Sequence, residues 1–324
     1  MTHQNFDRRL SIAPMMDHTD KHFRFFMRLL SKHAVLYTEM ITTGALIHGD
    51  RQRFLKFNDV EHPLAIQLGG SNPEDLAQCA KMAEDEGYDE VNLNIGCPSD
   101  RVQNGQFGAC LMSNKNLVAE CVNKIKSTTA IPVTIKTRIG IDDLDSYEFL
   151  YDFIDTTHKS GCDTYIIHAR KAILSGLSPK ENREIPPLNY PRVYQIKQDF
   201  SNLSITINGG FTEADQIKSQ LNHVDGVMVG RAAYQNPYML MQADKEIFGD
   251  AEEVQTRIDI LNHYRDYVAD QLDKGERIKN MTRHIIGLYQ GQPGARRYRQ
   301  LLSQAIPKDK KGIQFLDEAI QTIA

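Results

Sequence analysis

A chain of 324 residues, of which 41% are hydrophobic and 25% charged, has the size and balance of a soluble globular protein with one barrel-sized domain and an appendage. Its formal net charge of -4 excludes a polycation, so nucleic-acid binding would require positive charge concentrated on one part of the surface. No apolar run suits a signal peptide or a membrane span, and five cysteines without C-x-x-C spacing argue against disulfides or zinc, so we expect a metal-free cytoplasmic protein.

Short runs rich in Val, Ile and Leu recur along the chain, separated by stretches with helical spacing. They predict strands at 11–15, 35–39, 64–68, 90–95, 133–138, 164–168, 204–208 and 226–229. Between the third and fourth strands, Asn72 and Pro73 predict the start of a helix and Gly87 predicts its end. Alternating strands and helices predict parallel strands with right-handed crossovers, and strands apolar on both faces predict a sheet buried on both sides.

Eight strand–helix units predict a closed (β/α)8 barrel over residues 1–250. An open doubly wound sheet is the alternative, although no G-x-G-x-x-G follows the first strand. Beyond residue 250 the pattern becomes helical. Helices are predicted there at 253–273, 282–290, 295–300 and 313–323. We therefore expect a small all-helical domain over residues 251–324.

Small and polar residues collect at the carboxyl ends of the predicted strands, where (β/α)8 enzymes have their active sites. They include Ala13, Pro14, Met15, Glu39, Met40, Gln67, Asn94, Lys136, Arg138, His168, Arg170, Asn208, Gly209, Gly210, Gly230 and Arg231. One polar residue at a strand end is usually a turn residue. Amide, Lys, Arg and His side chains at five or more ends instead predict one shared site.

The ends of the last two strands form a candidate phosphate site. Barrels often bind phosphate between these loops, the glycines within 208–210 leave backbone N–H groups accessible, and Arg231 adds a bidentate charge. Lys136 lies in an otherwise apolar strand, where an unpaired cation is costly. It would stabilise the negative charge of a reduced flavin, or alternatively pair with a strand carboxylate such as Glu39.

Cys97 follows the fourth strand in a Gly-Cys-Pro turn at the predicted barrel mouth. The commonest fate of a free cysteine is to be a buried structural thiol, and that interpretation stays open. No second Cys or His lies at zinc-ligand spacing, and a covalent nucleophile would need an adjacent base. A neutral thiol that acts as a general acid needs no such partner, and we favour that role.

The segment at 92–112, NLNIGCPSDRVQNGQFGACLM, resembles the signature of tRNA-dihydrouridine synthases. Further similar segments follow in the expected order and cover essentially the whole chain. They are APM at 13–15, YTEM at 37–40, QLG at 67–69, KTRIG at 136–140, IHAR at 167–170 and NGG at 208–210. The run LSGLSPKENR at 174–183 is similar to the bacterial A subfamily in particular.

The resemblance implies an FMN-containing (β/α)8 barrel that uses NADPH to reduce uridines 20 and 20a of the tRNA D-loop to dihydrouridine. It makes Cys97 the proton donor. It also implies that the residues holding FMN are Ala13, Pro14, Met15, Gln67, Lys136, His168, Asn208, Gly209, Gly210, Gly230 and Arg231. The residues implied to contact tRNA are Asn94, Lys180, Arg183, Arg296 and Arg299.

The chemistry of uracil adds one expectation about the base. Its acceptor–donor–acceptor edge suits an amide and a guanidinium, so we expect Asn94 and Arg138 to contact it. His168 could hold the flavin, orient the base or be a second acid, and we favour positioning.

The charge needed for RNA binding is concentrated near the C-terminus. Residues 274–311 contain ten Lys and Arg against two acidic residues, a charge of +8 in a molecule of -4. This asymmetry predicts a phosphate-binding face, and Tyr298 among the arginines of 296–299 is interpreted as a ring that stacks on RNA bases. A solvated helix face is the alternative.

Two other functions compete with tRNA reduction. A different FMN barrel, such as a dihydroorotate dehydrogenase or an enone reductase, would act on a free metabolite, and the basic C-terminal region argues against it. A non-catalytic tRNA-binding factor would not depend on Cys97, and a flavin spectrum would exclude its simplest form. We expect a monomer, and no nucleotide-binding fingerprint indicates where NADPH docks.

Overall fold

The computed structural model describes residues 6–250, 254–304 and 312–323. Eight parallel strands form one sheet in the order β1-β8-β7-β6-β5-β4-β3-β2. The strands are β1 Leu10–Ile12, β2 Leu36–Thr42, β3 Leu64–Gly69, β4 Glu90–Ile95, β5 Val133–Arg138, β6 Thr164–His168, β7 Ser204–Asn208 and β8 Gly226–Val229. Val35 closes the ring, because its backbone accepts from Ile12 N at 2.9 Å and donates to Leu10 O at 3.0 Å. The sheet is therefore the predicted (β/α)8 barrel.

Helices connect the strands and continue beyond the last of them. The helices are α1 Lys21–Leu30, α2 Thr43–His48, α3 Arg51–Leu55, α4 Pro73–Glu86, α5 Asp100–Asn104, α6 Lys115–Lys126, α7 Tyr147–Lys159, α8 Tyr190–Asp199, α9 Ala214–Gln220, α10 Arg231–Gln235, α11 Met239–Ala243, α12 Arg257–Asp273, α13 Ile278–Thr282, α14 Ala295–Ser303 and α15 Gly312–Gln321. Helix α4 begins and ends as predicted: Asn72 accepts from Asp75 N, and Gly87 takes a left-handed conformation with φ 106°.

The strand prediction is confirmed to the residue for β4 to β8 and differs at the first two strands. Strand β1 was expected to reach residue 15 but ends at Ile12, two residues before Pro14, which has no N–H to donate to a ladder. Strand β2 extends to Thr42 instead of ending at residue 39, with a shift of register between Tyr37 and Met40.

The region after β8 contains helices and turns and no strand among its described residues. Helix α12 begins at Arg257, four residues later than predicted, because Thr256 and Asp259 form a capping box there. The helix predicted at 282–290 is wrong, since α13 ends at Thr282 and turns follow as far as Gly294. Glycines and a proline interrupt this stretch, and they disfavour a helix interior.

The C-terminal helices pack on the barrel through α1. The rings of Phe25 on α1 and Tyr267 on α12 stack at 3.8 Å between centroids. None of the helices in the described part of the chain is long and apolar enough to span a membrane.

The main apolar core lies between the strands and the surrounding helices, and a second cluster fills part of the barrel interior. The second cluster consists of Ala13, Val35, Tyr37, Ala65, Ile166 and Met228. The rest of the interior is lined by polar side chains, which build the candidate site.

Candidate active site

Strand β4 directs three polar side chains to one face, because Glu90, Asn92 and Asn94 alternate at the two-residue period of a strand. Glu90 lies at the amino-terminal end of the strand and is completely buried. Its carboxylate accepts from Tyr37 Oη at 2.9 Å and from the hydroxyl of Thr134, and it forms an ion pair with Arg8. These partners compensate for the burial of the charge.

Amide side chains extend this network towards the carboxyl ends of the strands. Asn92 Nδ2 donates to Thr134 Oγ1 at 2.8 Å, and Gln67 Nε2 donates to Asn92 Oδ1 at 2.7 Å. Asn94 Nδ2 then donates to Gln67 Oε1 at 2.8 Å. Because each amide is oriented by its neighbour, the network is an ordered ladder from the floor of the barrel to its mouth.

Cys97 lies at the top of this ladder. Asn94 Oδ1 accepts from Gly96 N at 3.1 Å and from Cys97 N at 2.9 Å, and Cys97 O accepts from Ala109 N at 2.9 Å. The thiol is half-buried, with Sγ 3.5 Å from Ser99 Oγ. The structure therefore places this thiol at the barrel mouth, on a backbone held from both sides.

Lys136 lies in β5 at the barrel mouth and is half-buried. Nζ donates to Asn208 Oδ1 at 3.1 Å, and Asn208 Nδ2 donates to Met228 O at 2.8 Å. No ion pair joins Lys136 to Glu39, although the structure describes both residues, so that alternative is wrong. Burial, together with the charge of Arg138, lowers the pKa of Lys136 to about 7. An anionic ligand would stabilise this ammonium.

His168 ends β6 beside the glycines that follow β7. Burial lowers the pKa of His168 well below its usual value, and the charges of Arg138 and Lys136 add to the effect. This low pKa disfavours a charged imidazole at this position. Gly209 has φ 121°, and a Cβ there would lie 2.8 Å from His168 Cδ2, so only glycine suits this close approach.

The ends of β8 and β1 complete the same side of the mouth. Arg231 is exposed and pairs with Glu184 at 2.7 Å. Gly230 faces open space, because a Cβ there would meet nothing closer than the Cβ of Ala13 at 3.8 Å. The backbone of the neighbouring Met15 is fixed by Thr19 Oγ1 at 3.1 Å. Basic side chains and open backbone thus lie together where phosphate binding is predicted.

Arg138 lies behind the mouth and is buried. Its Nε donates to Gly96 O at 2.8 Å, and its Nη1 donates to Lys171 O at 3.1 Å and Asn182 O at 3.0 Å. Burial lowers the pKa of Arg138 to about 10. The guanidinium is thus engaged by backbone carbonyls of the chain itself, and its contact with a substrate base stays a prediction.

The comparison with known proteins decides the family. The family model for dihydrouridine synthases matches residues 11–324. The chain belongs to the dihydrouridine synthase family. A relative from Vibrio parahaemolyticus named tRNA-dihydrouridine(20/20a) synthase is 58% identical over 316 residues, 97% of each chain. A relative of the same name from Escherichia coli strain K12 is 56% identical over 317 residues, 98% of this chain and 92% of its own.

A solved structure of morphinone reductase resembles this dihydrouridine synthase in fold. The match has a TM-score of 0.51 and 12% sequence identity, and it covers 75% of this chain and 86% of that chain. At this identity the similarity concerns the barrel architecture alone.

The residues of the dihydrouridine synthase that are predicted to contact tRNA lie in two places. Lys180 and Arg183 are exposed between β6 and α8, whereas Arg296 and Arg299 are exposed on α14 in the helical region. The interpretation of Tyr298 as a stacking ring is wrong, because its side chain is completely buried and its hydroxyl donates to Ile285 O at 3.3 Å. Three predicted contributors to the basic face lie outside the described residues, namely Lys308, Lys310 and Lys311.

Several residues that build the site of this dihydrouridine synthase are not among those predicted from its sequence pattern. Glu90 and Thr134 form the lower ladder together with Asn92, and neither belongs to the strand-end pattern, because Glu90 begins β4 and Thr134 lies inside β5. A signal existed, since polar residues at every second position of a strand indicate a polar interior face. Gln103, which joins two loops distant in sequence, and Asn182, which holds a single loop together, have no such signal in the chain.

Proposed function

We propose that this dihydrouridine synthase reduces uridines 20 and 20a of the tRNA D-loop to 5,6-dihydrouridine, with bound FMN as cofactor and NADPH as electron source. The observation that carries the proposal is the half-buried thiol of Cys97 at the mouth of a barrel whose interior presents Lys136 and Gln67. The names of relatives 56–58% identical to this chain support the choice of tRNA and of the two positions.

The residues present at the mouth suit FMN. The ammonium of Lys136 is buried beside a neutral amide, so it favours a ligand that carries negative charge. The open space at Gly230 and the guanidinium of Arg231 suit a phosphate group. The residues that would hold FMN are Ala13, Pro14, Met15, Gln67, Lys136, His168, Asn208, Gly209, Gly210, Gly230 and Arg231.

The role of Cys97 follows from the chemistry of uracil. When bound and reduced by NADPH, FMN would supply the hydride for C6 of the uracil, where addition is favoured because the negative charge spreads over C5 and the oxygen on C4. Cys97 gives its proton to C5. The backbone N–H groups of Gly96 and Cys97 donate hydrogen bonds to Asn94 Oδ1, and these bonds fix the position of the segment that carries the thiol.

The substrate uridine must leave the folded tRNA to reach the barrel mouth. Asn94 has a second amide hydrogen beyond the one given to Gln67, and with Arg138 it would recognise the edge of the base. Lys180 and Arg183 would contact the nearby RNA backbone. The helical region, residues 251–324, would form a separate domain that binds tRNA through Arg296 and Arg299.

Replacing the thiol tests the assignment of Cys97. The variant Cys97→Ala should bind FMN and oxidise NADPH as the wild type does, because the thiol lies outside the proposed cofactor contacts. Its transfer of reducing equivalents to tRNA should fall by about 100-fold or more, the usual contribution of a positioned general acid. The measurement is single-turnover oxidation of the reduced flavin by unmodified tRNA.

The matched control is Cys110→Ala, which removes the half-buried thiol whose Sγ lies 3.1 Å from Phe107 O. This variant should react at the wild-type rate. Full tRNA reduction by Cys97→Ala would exclude the thiol as proton donor.

A further inference from the structure

Two segments meet beside the proposed active site. The Cys97 segment, residues 96–107, follows β4 directly, carries the thiol and includes helix α5. The β6–α8 loop, residues 169–189, carries the exposed Lys180 and Arg183 that are proposed to contact tRNA. The two segments are distant in sequence, so any coupling between them depends on tertiary contacts.

A single side chain joins them. Gln103 lies half-buried on α5, and its Nε2 donates to Pro98 O at 2.8 Å and to Leu174 O at 2.8 Å. Pro98 is buried and follows Cys97 directly, while Leu174 belongs to the β6–α8 loop. Because one nitrogen uses both of its hydrogens on these two carbonyls, it fixes the separation between the segments.

Hydrogen bonds tie residues 173 and 182 of the β6–α8 loop to each other. Asn182 is completely buried; its Oδ1 accepts from Ile173 N at 2.7 Å and its Nδ2 donates to Ile173 O at 2.9 Å. Asn182 O accepts from Arg138, which also donates to Gly96 O in the Cys97 segment. Gln103 and Arg138 therefore bind the same two segments from different positions.

We propose that Gln103 is a positioning residue that couples the Cys97 segment to the β6–α8 loop, so that RNA bound on the loop fixes the place of the thiol. The inference rests on the proposed function of Cys97 as proton donor. The side-chain hydrogen bonds of Gln103 reach the carbonyls of Pro98 and Leu174, through which it acts, and not the thiol or the residues proposed to hold FMN. Proton transfer is sensitive to small displacements of the donor, so loosening this link slows the transfer.

Two near-isosteric variants remove the donor. Gln103→Glu replaces the amide with a carboxylate, and Gln103→Met replaces it with an apolar group. Both should lower the single-turnover rate of tRNA reduction by ~10-fold, the effect of a small misplacement of a reacting group. Flavin reduction by NADPH and the affinity for tRNA should both stay within about twofold of wild type, because neither depends on where the thiol stands.

A second measurement does not depend on catalysis. The rate at which iodoacetamide alkylates Cys97, followed by mass spectrometry of its peptide, reports the freedom of the segment. Both Gln103 variants should be alkylated ~5-fold faster than wild type without tRNA, because the opened segment exposes the thiol. The control is Gln106→Glu, an exposed residue of the same segment with the same change of charge, and it should behave as wild type in both assays.

The proposal is overturned if both variants reduce tRNA within twofold of wild type, even with faster alkylation. An effect confined to Gln103→Glu would also overturn it, because the cause would then be the new charge. Wild-type protein that forms no dihydrouridine would instead contradict the proposed function, while the alkylation rates would still test the link between the segments.

Discussion

The charge of Lys136, which is proposed to hold FMN, lowers the stability of the cofactor-free protein. In the cofactor-free protein, burial and the charge of Arg138 lower its pKa to about 7, whereas an unfolded lysine has a pKa of about 10.4. The unfolded chain therefore binds more protons between these two values, so the stability of the cofactor-free protein rises with pH from about 7 to about 10. Below pH 7 Lys136 is charged in both the folded and the unfolded protein, so the free-energy cost of burying its charge no longer changes with pH.

The variant Lys136→Met removes this cost. Without cofactor it should be at least as stable as wild type at pH 7, with a gain of about 1–2 kcal/mol, and the rise in stability between pH 7 and 10 should become smaller. Its affinity for FMN should fall by at least ~10-fold, because the buried cation is lost. Urea unfolding of the cofactor-free protein and fluorescence titration with FMN measure the two effects.

A variant with weaker FMN binding and a much less stable cofactor-free fold would show that Lys136 has a structural role. Lys126→Met, an exposed change on α6, serves as the control and should alter neither quantity.

The role of a single residue can be predicted from the sequence when its neighbours in the chain make it conspicuous. Cys97 and Lys136 were found because a strand end or an apolar strand makes a polar residue conspicuous. The stacking role predicted for Tyr298 is wrong, although the spacing of Ala295, Tyr298 and Leu302 follows the helical period that marks a buried stripe. The sequence around Gln103 does not indicate its role, since that role depends on a hydrogen bond to the carbonyl of a residue 71 positions away.

Among the elements, the strands were the most predictable, because strands buried on both faces give continuous apolar runs. The errors occur where backbone chemistry competes with the apolar pattern, as at Pro14 after β1 and in the glycine-rich turns after α13. The contact between α1 and the C-terminal region could not be predicted, since its partners lie far apart in sequence, with Asp20 and Arg283 separated by 263 positions.

That contact centres on Asp20, which caps α1 by accepting from His22 N and Phe23 N, both at 3.0 Å. Its carboxylate also lies 2.6 Å from Arg283 Nη2 and 2.9 Å from His284 Nε2. Burial lowers the pKa of His284, and the hydrogen bond and charge of Asp20 oppose this effect. Burial alone would raise the pKa of Asp20, but its hydrogen bonds and the positive charge beside it hold that pKa well below its usual value.

The variant Asp20→Asn should keep the helix cap and lose the charge, because Asn caps helices as well as Asp does. We expect a loss of about 1–3 kcal/mol of stability at pH 7. Because the folded pKa of Asp20 is lowered, its contribution is present above about pH 4 and is lost as pH falls further, so variant and wild type should converge in acid. Chemical denaturation across this pH range measures the difference.

Asp50→Asn is the matched control, since Asp50 caps α3 on the surface by accepting from Arg53 N. It should change stability only slightly. A difference between Asp20→Asn and wild type that stays constant down to pH 2 would contradict the ionic contribution.

At the scale of the whole molecule, charge is distributed unevenly. In the C-terminal region, Lys274 and Arg283 are paired with Asp270 and Asp20, whereas the arginines of α14 at 296, 297 and 299 are exposed. The composition predicts this region as basic, but only the structure shows which of its cations are paired with carboxylates of the chain.

The double variant Arg296→Glu with Arg299→Glu should weaken tRNA binding at least ~10-fold at low salt and make it less dependent on salt, because fewer counterions are released. Flavin reduction by NADPH should be unchanged. The measurement is a titration of tRNA at several salt concentrations.

Lys126→Glu with Lys218→Glu makes the same change of charge on exposed positions of α6 and α9 and serves as the control. Equal losses of tRNA affinity in the two double variants would contradict a specific binding face on α14.

We propose that this barrel reduces particular uridines of tRNA. The most direct measurement incubates the purified protein with FMN, NADPH and unmodified tRNA, and maps dihydrouridine along the RNA by mass spectrometry. We predict dihydrouridine at positions 20 and 20a of the D-loop. Reduction of free uridine at the same rate as tRNA, or tRNA left unmodified by protein whose flavin is fully reduced, would contradict the claim.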